Sequence, residues 1–233
     1  MPDFADIENL ITICRDAHGI PEEKLDYNWS FSPKKKQRID TYLEGINAKE
    51  IGTEEGTILL FQNFNQALHR TVKTGKIIKT ANVIADILYW GGINGNKREK
   101  LESYARQLYI IDTLSDNGLK VAMEEFYYSK QDGIASWSKI LAAWEPESFF
   151  IYDANVAAAL QTLYAGRYRF FLPPSESKSV KKYYDNTIKK RGEDEQVDYH
   201  DYCVALQQTG NGIHLEKRLF MLGRRLTRQK NTE

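Results

Sequence analysis

The chain has 233 residues, of which 42% are hydrophobic and 27% charged. This composition is typical of a globular protein and excludes an intrinsically disordered chain. Lysine plus arginine and aspartate plus glutamate both number 32, so the formal net charge is zero. A protein that binds DNA through bulk positive charge is therefore excluded, and nucleic-acid binding would have to depend on a local basic patch.

Cysteine and histidine spacing gives no indication of a metal site. Cys14 and Cys203 lie far apart, and the histidines form no HxH or HxxxH pair, so zinc-site spacing is absent and an iron–sulfur cluster is excluded by count. We expect no metal and no cofactor. The acidic N-terminus has no apolar segment, and no run approaches the roughly 18 apolar residues of a membrane span, so neither a signal peptide nor a membrane partner is expected. A cytoplasmic protein is predicted, associated with a bacterial nucleoid at most.

Apolar residues recur at helical spacing along most of the chain, and strand-like alternation is scarce. The first predicted helix is ended by Gly19 and Pro21. In the third, Leu59 and Leu60 are both expected to face the core. The apolar stripe of the first helix runs from Phe4 to Cys14. The other predicted helices span about 33–46, 53–75, 81–90, 97–114, 117–128, 136–144, 153–164, 175–190, 197–208 and 214–226. The pattern predicts an all-α protein.

Two short joints interrupt the helices, one glycine-rich at 90–96 and one at 172–174 that contains two prolines. Both are short and flanked by aromatic residues, unlike flexible linkers. We place a soft boundary near 115–130. This predicts an N-terminal helical half over residues 1–120 and a C-terminal helical half over 121–233, with a cleft between them.

The most unusual stretch runs from residue 132 to residue 160. A short helix is predicted from about Ser136, with Lys139 in its first turn, and Pro146 prevents it from continuing. An apolar segment, 149–152, is expected to be buried. Asp153 then precedes a helix-forming run and is the expected N-cap of that helix.

Lys139 and Asp153 are candidates for nucleophilic catalysis. Two helices joined by one turn can bring an amine and a carboxylate close together. The lysine would lose a proton and form a Schiff base with a sugar carbon, while the aspartate would stabilise the positive charge that develops on the sugar. Taken alone, however, a solvated lysine and a simple capping aspartate are the more common explanation of these residues.

A family resemblance favours the catalytic interpretation. The block WSKILAAWEPESFFIYDANVAAAL, residues 137–160, resembles the active-site region of the helix–hairpin–helix DNA glycosylases, and most closely the 8-oxoguanine DNA glycosylase fold. The resemblance implies that Lys139 is the nucleophile and that Asp153 stabilises the transition state. Trp90-Gly91-Gly92 and the segment 216–220 resemble recurring segments of bacterial relatives.

The resemblance further implies base flipping, in which a damaged or modified base leaves the DNA stack and enters a pocket. Aromatic side chains receive or replace the base, and glycine permits close approach of the backbone. The predicted base pocket consists of Trp137, Trp90, Gly91, Gly92 and Tyr152. Core packing is the alternative explanation for each aromatic residue.

The hairpin of the family, whose amides hold a DNA phosphate, corresponds to residues 133–138. Gly133, Ser136 and Ser138 are therefore predicted to contact the DNA backbone. Ala135 stands where the family usually has a second glycine.

Basic residues supply the other predicted contacts with the DNA backbone. The cluster Lys34, Lys35, Lys36 and Arg38 has no acidic neighbour until Asp40, so it is a better candidate than the basic stretch 178–191, which acidic residues follow. A solvated helix face is the alternative explanation.

The sequence therefore predicts a DNA glycosylase with AP lyase activity that excises a damaged or modified base, with DNA as its partner. One alternative is an inactive module for DNA binding or protein interaction on the same fold. Another is an unrelated all-α interaction protein in which Lys139 and Asp153 form an ordinary ion pair. The sequence leaves open which base is excised and whether the role is repair or defence against foreign DNA.

Overall fold

The computed structural model describes residues 4–113, 133–165, 167–170, 178, 180–182 and 195–229. Most of these residues are helical, which confirms the predicted all-α class. The main elements in chain order are α1 (Ile7–Ala17), α2 (Pro33–Arg38), α3 (Glu54–Lys73), α4 (Ile77–Trp90), α5 (Arg98–Thr113), α6 (Ile134–Trp144), α7 (Ala154–Leu163), β1 (Tyr168–Phe170), β2 (Glu195–Val197), α8 (Tyr199–Gln208) and α9 (Gly212–Gln229).

The chain forms two compact units. The middle unit is Asn28–Pro146 and carries α2 to α6. The terminal unit joins Met1–Tyr27 to Glu147–Glu233 and carries α1, α7 to α9 and both strands.

This division differs from the predicted halves 1–120 and 121–233. The N-terminal helix α1 belongs with the C-terminal elements, because it packs against α7 and α9 and buries Ile7 and Ile11 there. An apolar stripe predicts that a helix is buried, but it does not identify the distant helix that covers it. The predicted boundary at 115–130 lies outside the described residues.

In the middle unit, α3 and α4 are the two helices that position α6. The Thr53 hydroxyl accepts a hydrogen bond from the Gly56 amide, so α3 begins where the sequence predicts. Ile140 of α6 joins large, fully buried residues of this core, which lie along the apolar faces of α3, α4 and α5: Leu60, Phe64, Leu68, Ile84, Ile87, Leu88 and Leu108.

In the terminal unit, α7 and α9 form the most extensive helix pair. The strands β1 and β2 pair in parallel, with Tyr168 opposite Glu195 and Phe170 opposite Val197. The Gln161 side chain of α7 bonds the Tyr168 carbonyl and the Phe170 amide, and so fixes β1 beside that helix. This short ribbon was not predicted.

Two local predictions are wrong. The predicted helix 33–46 ends at Arg38, because the chain turns into a 3₁₀ segment, Asp40–Tyr42, as Ile39 is buried. Leu59 is 37% exposed rather than inward, since the buried stripe of α3 runs through Leu60 and Phe64 and leaves Leu59 off it. The predicted helix 117–128 and most of 175–190 lie outside the described residues. Across the described part of the chain, no helix is both long and apolar enough to cross a membrane.

Candidate functional site

The helix that carries Lys139 begins earlier than predicted. Gly133 caps α6 with a φ of 103°, a left-handed conformation that glycine adopts without strain, and Ile134 is already helical. Lys139 therefore lies in the second turn of α6 rather than the first. Its side chain is only 4% exposed, and its Nζ donates a hydrogen bond to the Ala135 carbonyl at 3.1 Å.

The aliphatic part of Lys139 packs directly on Gly91, the residue that follows α4. A Cβ atom added at Gly91 would overlap Lys139 Cδ and Cε. Gly91 has ordinary backbone angles, φ −71° and ψ 5°, so the close approach of the lysine, and not the backbone conformation, requires glycine here. The structure thus brings together Lys139 and the predicted glycine joint. The two are separated by 47 residues, and the sequence does not predict their contact.

The joint itself is well ordered by hydrogen bonds. The amides of Gly91, Gly92 and Ile93 donate to carbonyls of the last turn of α4, at 3.0, 3.1 and 2.8 Å. Gly92 has a φ of 80°, the left-handed conformation that commonly ends a helix. The surface against which Lys139 packs is therefore fixed.

The C-terminal end of α6 is fastened to α3. The Trp144 carbonyl accepts hydrogen bonds from Asn65 Nδ2 and, at 3.2 Å, from the His69 ring. The His69 ring also stacks on the Trp144 indole with centroids 3.8 Å apart. Asn65 and His69 are four residues apart on one face of α3, so a single helix face fixes the direction of α6.

A second lysine reaches the same joint. Lys35 of α2 donates from Nζ to the Trp90 carbonyl at 2.9 Å and lies over the Trp29 ring, 5.1 Å from its centroid. Burial lowers the pKa of the Lys35 amine. Lys35 is thus half-buried with its amine bonded at the joint, and its predicted role as a contact for the DNA backbone stays a prediction.

The two tryptophans predicted to receive the base occupy other positions. Trp90 is 3% exposed and packs edge-on against Phe61, 4.8 Å away, so it belongs to the core. Trp137 is half-buried and meets the edge of Tyr104 at 4.6 Å. Residues two apart on a helix do not share a face, so Trp137 and Lys139 point to different sides of α6.

The predicted hairpin at 133–138 is also corrected. Only Gly133 precedes the helix, whereas Ser136 and Ser138 lie within α6 and are 6% and 0% exposed. Buried helical serines do not present amides or hydroxyls to a DNA phosphate. The preceding residues, 114–132, lie outside the described part of the chain.

The remaining basic residues of α2 are exposed, but Arg38 has an acidic partner that the sequence does not reveal. Arg38 Nε bonds Asp86 of α4 at 2.8 Å, and its guanidinium lies 4.4 Å from the Tyr89 ring centroid. Lys34 and Lys36 are exposed. The nearby sequence does not reveal this acidic partner, because Asp86 lies 48 residues from Arg38.

Arg38 and Lys34 line a cavity of about 400 Å³ beside the joint. Its other walls come from α4, the joint and the start of α5: Ala85, Tyr89, Ile93, Asn94, Gly95, Asn96 and Leu101. The described lining contains two cations, two carboxamides and no carboxylate.

Asp153 caps α7 as predicted. Its Oδ1 accepts hydrogen bonds from the amides of Asn155 at 2.8 Å and Val156 at 3.1 Å. These bonds satisfy two of the free amides at the helix start and hold the carboxylate in one position.

The apolar segment before Asp153 is buried, which confirms that prediction. The backbone of this segment forms hydrogen bonds with side chains, where a strand would bond to the backbone of a neighbouring strand. Tyr199 Oη donates to the Phe150 carbonyl at 2.9 Å, and Tyr202 Oη donates to the Ile151 carbonyl at 3.1 Å. The Ile151 amide donates to Glu216 Oε2 at 3.3 Å.

Tyr152 belongs to this buried network and not to a base pocket. It is 2% exposed, and its ring meets those of Tyr202 and Tyr199 edge-on at 5.1 and 6.2 Å. The alternative explanation, core packing, is the one that the structure supports for Tyr152.

The carboxyl of Glu216 is fully buried beside the amine of Lys217. Burial raises the pKa of Glu216, and the negative charge of Asp153 adds to that shift, while Lys217 at 3.4 Å opposes it. Lys217 also lies over the Tyr27 ring, 5.3 Å from its centroid. Glu216 therefore interacts both with the Ile151 amide and with the charge of Asp153, just before α7.

Asp198, His200 and Asp201 are the described residues whose ligand atoms lie close enough to hold a metal ion, within 4.8 Å of one another. Asp198 Oδ1 already accepts the Asp201 amide as the N-cap of α8. The partial positive charge of a helix N-terminus opposes a cation there.

Lys139 lies in the middle unit and Asp153 in the terminal unit. Their pairing in one site therefore stays a prediction. Comparison with known proteins finds no matching family model, no matching curated protein and no matching solved structure.

Sequence reasoning missed the residues that support the site. Asn65 and His69 had a detectable signal, because polar residues four apart on an otherwise apolar helix face indicate a buried partner. Tyr199, Tyr202 and Glu216 had none, since their partners are backbone groups about 50 to 65 residues away.

Proposed function

We propose that this protein is a DNA glycosylase with AP lyase activity, in which Lys139 is the nucleophile. The observation that supports the proposal best is the packing of Lys139 on Gly91. A backbone joint without a side chain fixes the stem of a buried lysine and so directs its amine, as a preorganised nucleophile requires.

The proposed reaction uses the amine of Lys139, the DNA and, for the final hydrolysis of the Schiff base, water. The neutral amine of Lys139 attacks C1′ of the flipped nucleotide, the bond between C1′ and the base breaks, and the base leaves with the electron pair and takes up one of the two Nζ protons. The bond between C1′ and O4′ then breaks, O4′ takes up the second Nζ proton, and a Schiff base forms between Nζ and C1′. Loss of a proton from C2′ then expels the 3′ phosphate by β-elimination.

Asp153 is the proposed stabiliser of the positive charge that develops on the sugar. Its two hydrogen bonds to the start of α7 and the buried network behind it support that role, because a carboxylate fixed in advance need not reorganise during the reaction. The base is expected to be a damaged or modified one, which costs less to flip than a normal paired base.

An inactive DNA-binding module is the second candidate. The observation that favours it is the burial of Lys139, whose Nζ is held by the Ala135 carbonyl and must be released before it can attack. The two candidates differ in one result, which is whether a covalent adduct forms.

Borohydride trapping tests the proposal. The protein is incubated with duplexes that carry 8-oxoguanine, other modified bases or an abasic site, and covalent adducts are resolved by gel electrophoresis. We expect an adduct with the wild-type protein and none with Lys139→Gln, because the glutamine amide cannot form a Schiff base. No adduct on any duplex from a folded wild-type protein that binds DNA would favour the inactive module.

Two further variants locate the reacting amine. Gly91→Ala keeps an allowed backbone but displaces the Lys139 stem, so we expect the trapping rate to fall by about tenfold or more with unchanged helical circular dichroism. Lys35→Gln removes the other amine at the joint and is expected to retain trapping. An adduct that survives Lys139→Gln and disappears in Lys35→Gln would assign the chemistry to Lys35 instead.

A further inference from the structure

The cavity beside the joint has a lining suited to an anion. Lys34 contributes an ammonium group and Arg38 a guanidinium, and the described residues that line the cavity include no carboxylate. Asp86 bonds Arg38 but does not itself line the cavity. The cavity wall therefore carries two cations, of which Arg38 is paired with Asp86 outside the lining, so the local charge is positive although the whole chain is neutral.

The guanidinium is fixed before any ligand arrives. Asp86 holds Arg38 at Nε, and the Tyr89 ring supports the guanidinium plane. Asp86 is held in turn by the Tyr42 hydroxyl at 3.3 Å. A preorganised arginine loses little conformational entropy on binding a phosphate, and its planar donors match phosphate oxygens.

The rest of the wall suits the sugar and base of a nucleotide. Asn94 and Asn96 supply carboxamides, which donate and accept hydrogen bonds, and Gly95 lies between them with a φ of 76°. Ile93 and Leu101 supply apolar surface. The volume of about 400 Å³ lies within the range of small-molecule sites and accommodates a single nucleotide rather than a duplex.

The cavity is continuous in sequence with the surface that holds Lys139. Gly91 touches the lysine stem, and the residues from Ile93 to Asn96, which follow it directly, form part of the cavity wall. A nucleotide bound in the cavity therefore lies next to the joint against which the proposed nucleophile packs.

We propose that this cavity binds one nucleotide of the DNA strand, with its phosphate between Lys34 and Arg38. This inference rests on the proposed function and adds to it a defined position for a nucleotide near the reacting one. It also separates the basic residues of α2, because Lys34 and Arg38 contact the strand whereas Lys35 holds the joint from inside.

The test measures binding without catalysis. Fluorescence anisotropy gives the Kd of a labelled duplex with an abasic site for the Lys139→Gln protein, over a range of salt concentrations. We expect Lys34→Gln in that background to raise the Kd roughly five- to tenfold near 0.1 M salt and to reduce the salt slope by about one, as the loss of one phosphate contact does. Arg38→Lys should weaken binding with an unchanged salt slope, because charge is kept while the planar donors are lost.

The matched control is Lys79→Gln, which removes the same charge from an exposed lysine in the first turn of α4, the end away from the cavity. Its Kd is expected to stay within twofold. An equal loss in Lys34→Gln and Lys79→Gln would mean that only bulk charge matters and would overturn the inference, as would no loss in Lys34→Gln.

Two other outcomes are distinguishable. Wild-type protein that binds DNA through Lys34 but forms no borohydride adduct would contradict the proposed function and leave the nucleotide site standing. Competition by a deoxynucleoside monophosphate as strong as that by the oligonucleotide would show that free nucleotide is the ligand, and would overturn the assignment to a DNA strand. No DNA binding by the wild-type protein at low salt would also overturn it.

Discussion

Glu216 shows how much one buried side chain does in the terminal unit. It accepts the Ile151 amide, lies 3.4 Å from the Lys217 amine and interacts with the charge of Asp153. A buried carboxylate without partners would be very costly, so the amide and the amine are what make its ionised form tolerable. The net effect of burial is nevertheless to raise its pKa above the ordinary 4.5.

This pKa shift predicts a pH dependence of stability. Because the folded protein holds the Glu216 proton more tightly than the unfolded chain does, the stability that this group contributes is present below the unfolded pKa. That stability is lost as the pH rises through the folded pKa. Glu216→Gln keeps an oxygen acceptor for the Ile151 amide but cannot ionise. We expect the wild-type protein to lose stability relative to this variant as the pH rises from about 4, by up to about 1.4 kcal/mol for each pH unit within that window.

Urea unfolding of both proteins at a series of pH values measures this difference. Parallel stability curves would mean that Glu216 has the same pKa in the folded and unfolded states. A wild-type protein that gains stability over the variant with rising pH would mean that Lys217 outweighs burial.

At the scale of elements, one glycine allows the close approach of helices α7 and α9. A Cβ at Gly223 of α9 would overlap the carbonyl oxygen and carbon of Asn155 in the first turn of α7. Neither group can move easily, because both are backbone atoms of helices and Asn155 is bonded to the capping carboxylate of Asp153. The close approach of these two helices therefore requires a residue without a side chain.

Gly223→Ala is predicted to destabilise the terminal unit by about 1 to 3 kcal/mol, the usual cost of overpacking. The loss occurs although alanine favours a helix by about 1 kcal/mol over glycine. Chemical denaturation measures it. Arg228→Ala, at an exposed position of the same helix, is the control and should change stability by less than about 0.5 kcal/mol. An increase in stability in Gly223→Ala would show that the helices can separate at no cost.

The sequence predicts elements well where local signals agree. Helix α3 follows the prediction at both ends, because Thr53 caps it and Gly75 follows its end. Helix α2 ends at Arg38 instead of the predicted 46. Ile39 no longer has helical backbone angles and is fully buried, and local periodicity does not reveal such tertiary contacts. The resemblance places Ser136 and Ser138 in a hairpin, whereas the helix already begins at Ile134.

At the scale of the whole molecule, contacts between residues far apart in the sequence divide the chain into two units. The middle unit is continuous from Asn28 to Pro146, whereas the terminal unit is assembled from both ends of the chain. The middle unit has its own core, with Phe64, Ile84 and Leu108 fully buried.

We predict that residues 28–146, expressed alone, fold into a helical domain with a cooperative thermal transition, because this segment forms a compact unit that carries Phe64, Ile84 and Leu108. Circular dichroism at 222 nm during a thermal scan measures this. The matched control is residues 1–120, the predicted N-terminal half, which lacks α6 and should unfold less cooperatively. A broad, non-cooperative transition for residues 28–146 would mean that the middle unit depends on the rest of the chain.

The sequence by itself determined the helical class, most helix positions in the described residues, the cap at Asp153 and the burial of the segment before it. Each follows from signals within one or two helical turns, namely apolar periodicity, capping residues, and glycine or proline. Only the tertiary structure decided that Lys139 packs on Gly91, that Asp86 holds Arg38, and that buried side chains of α8 and α9 hold the backbone at Phe150 and Ile151. These contacts join residues 48 to 65 positions apart, and local periodicity carries no information about which distant groups will meet.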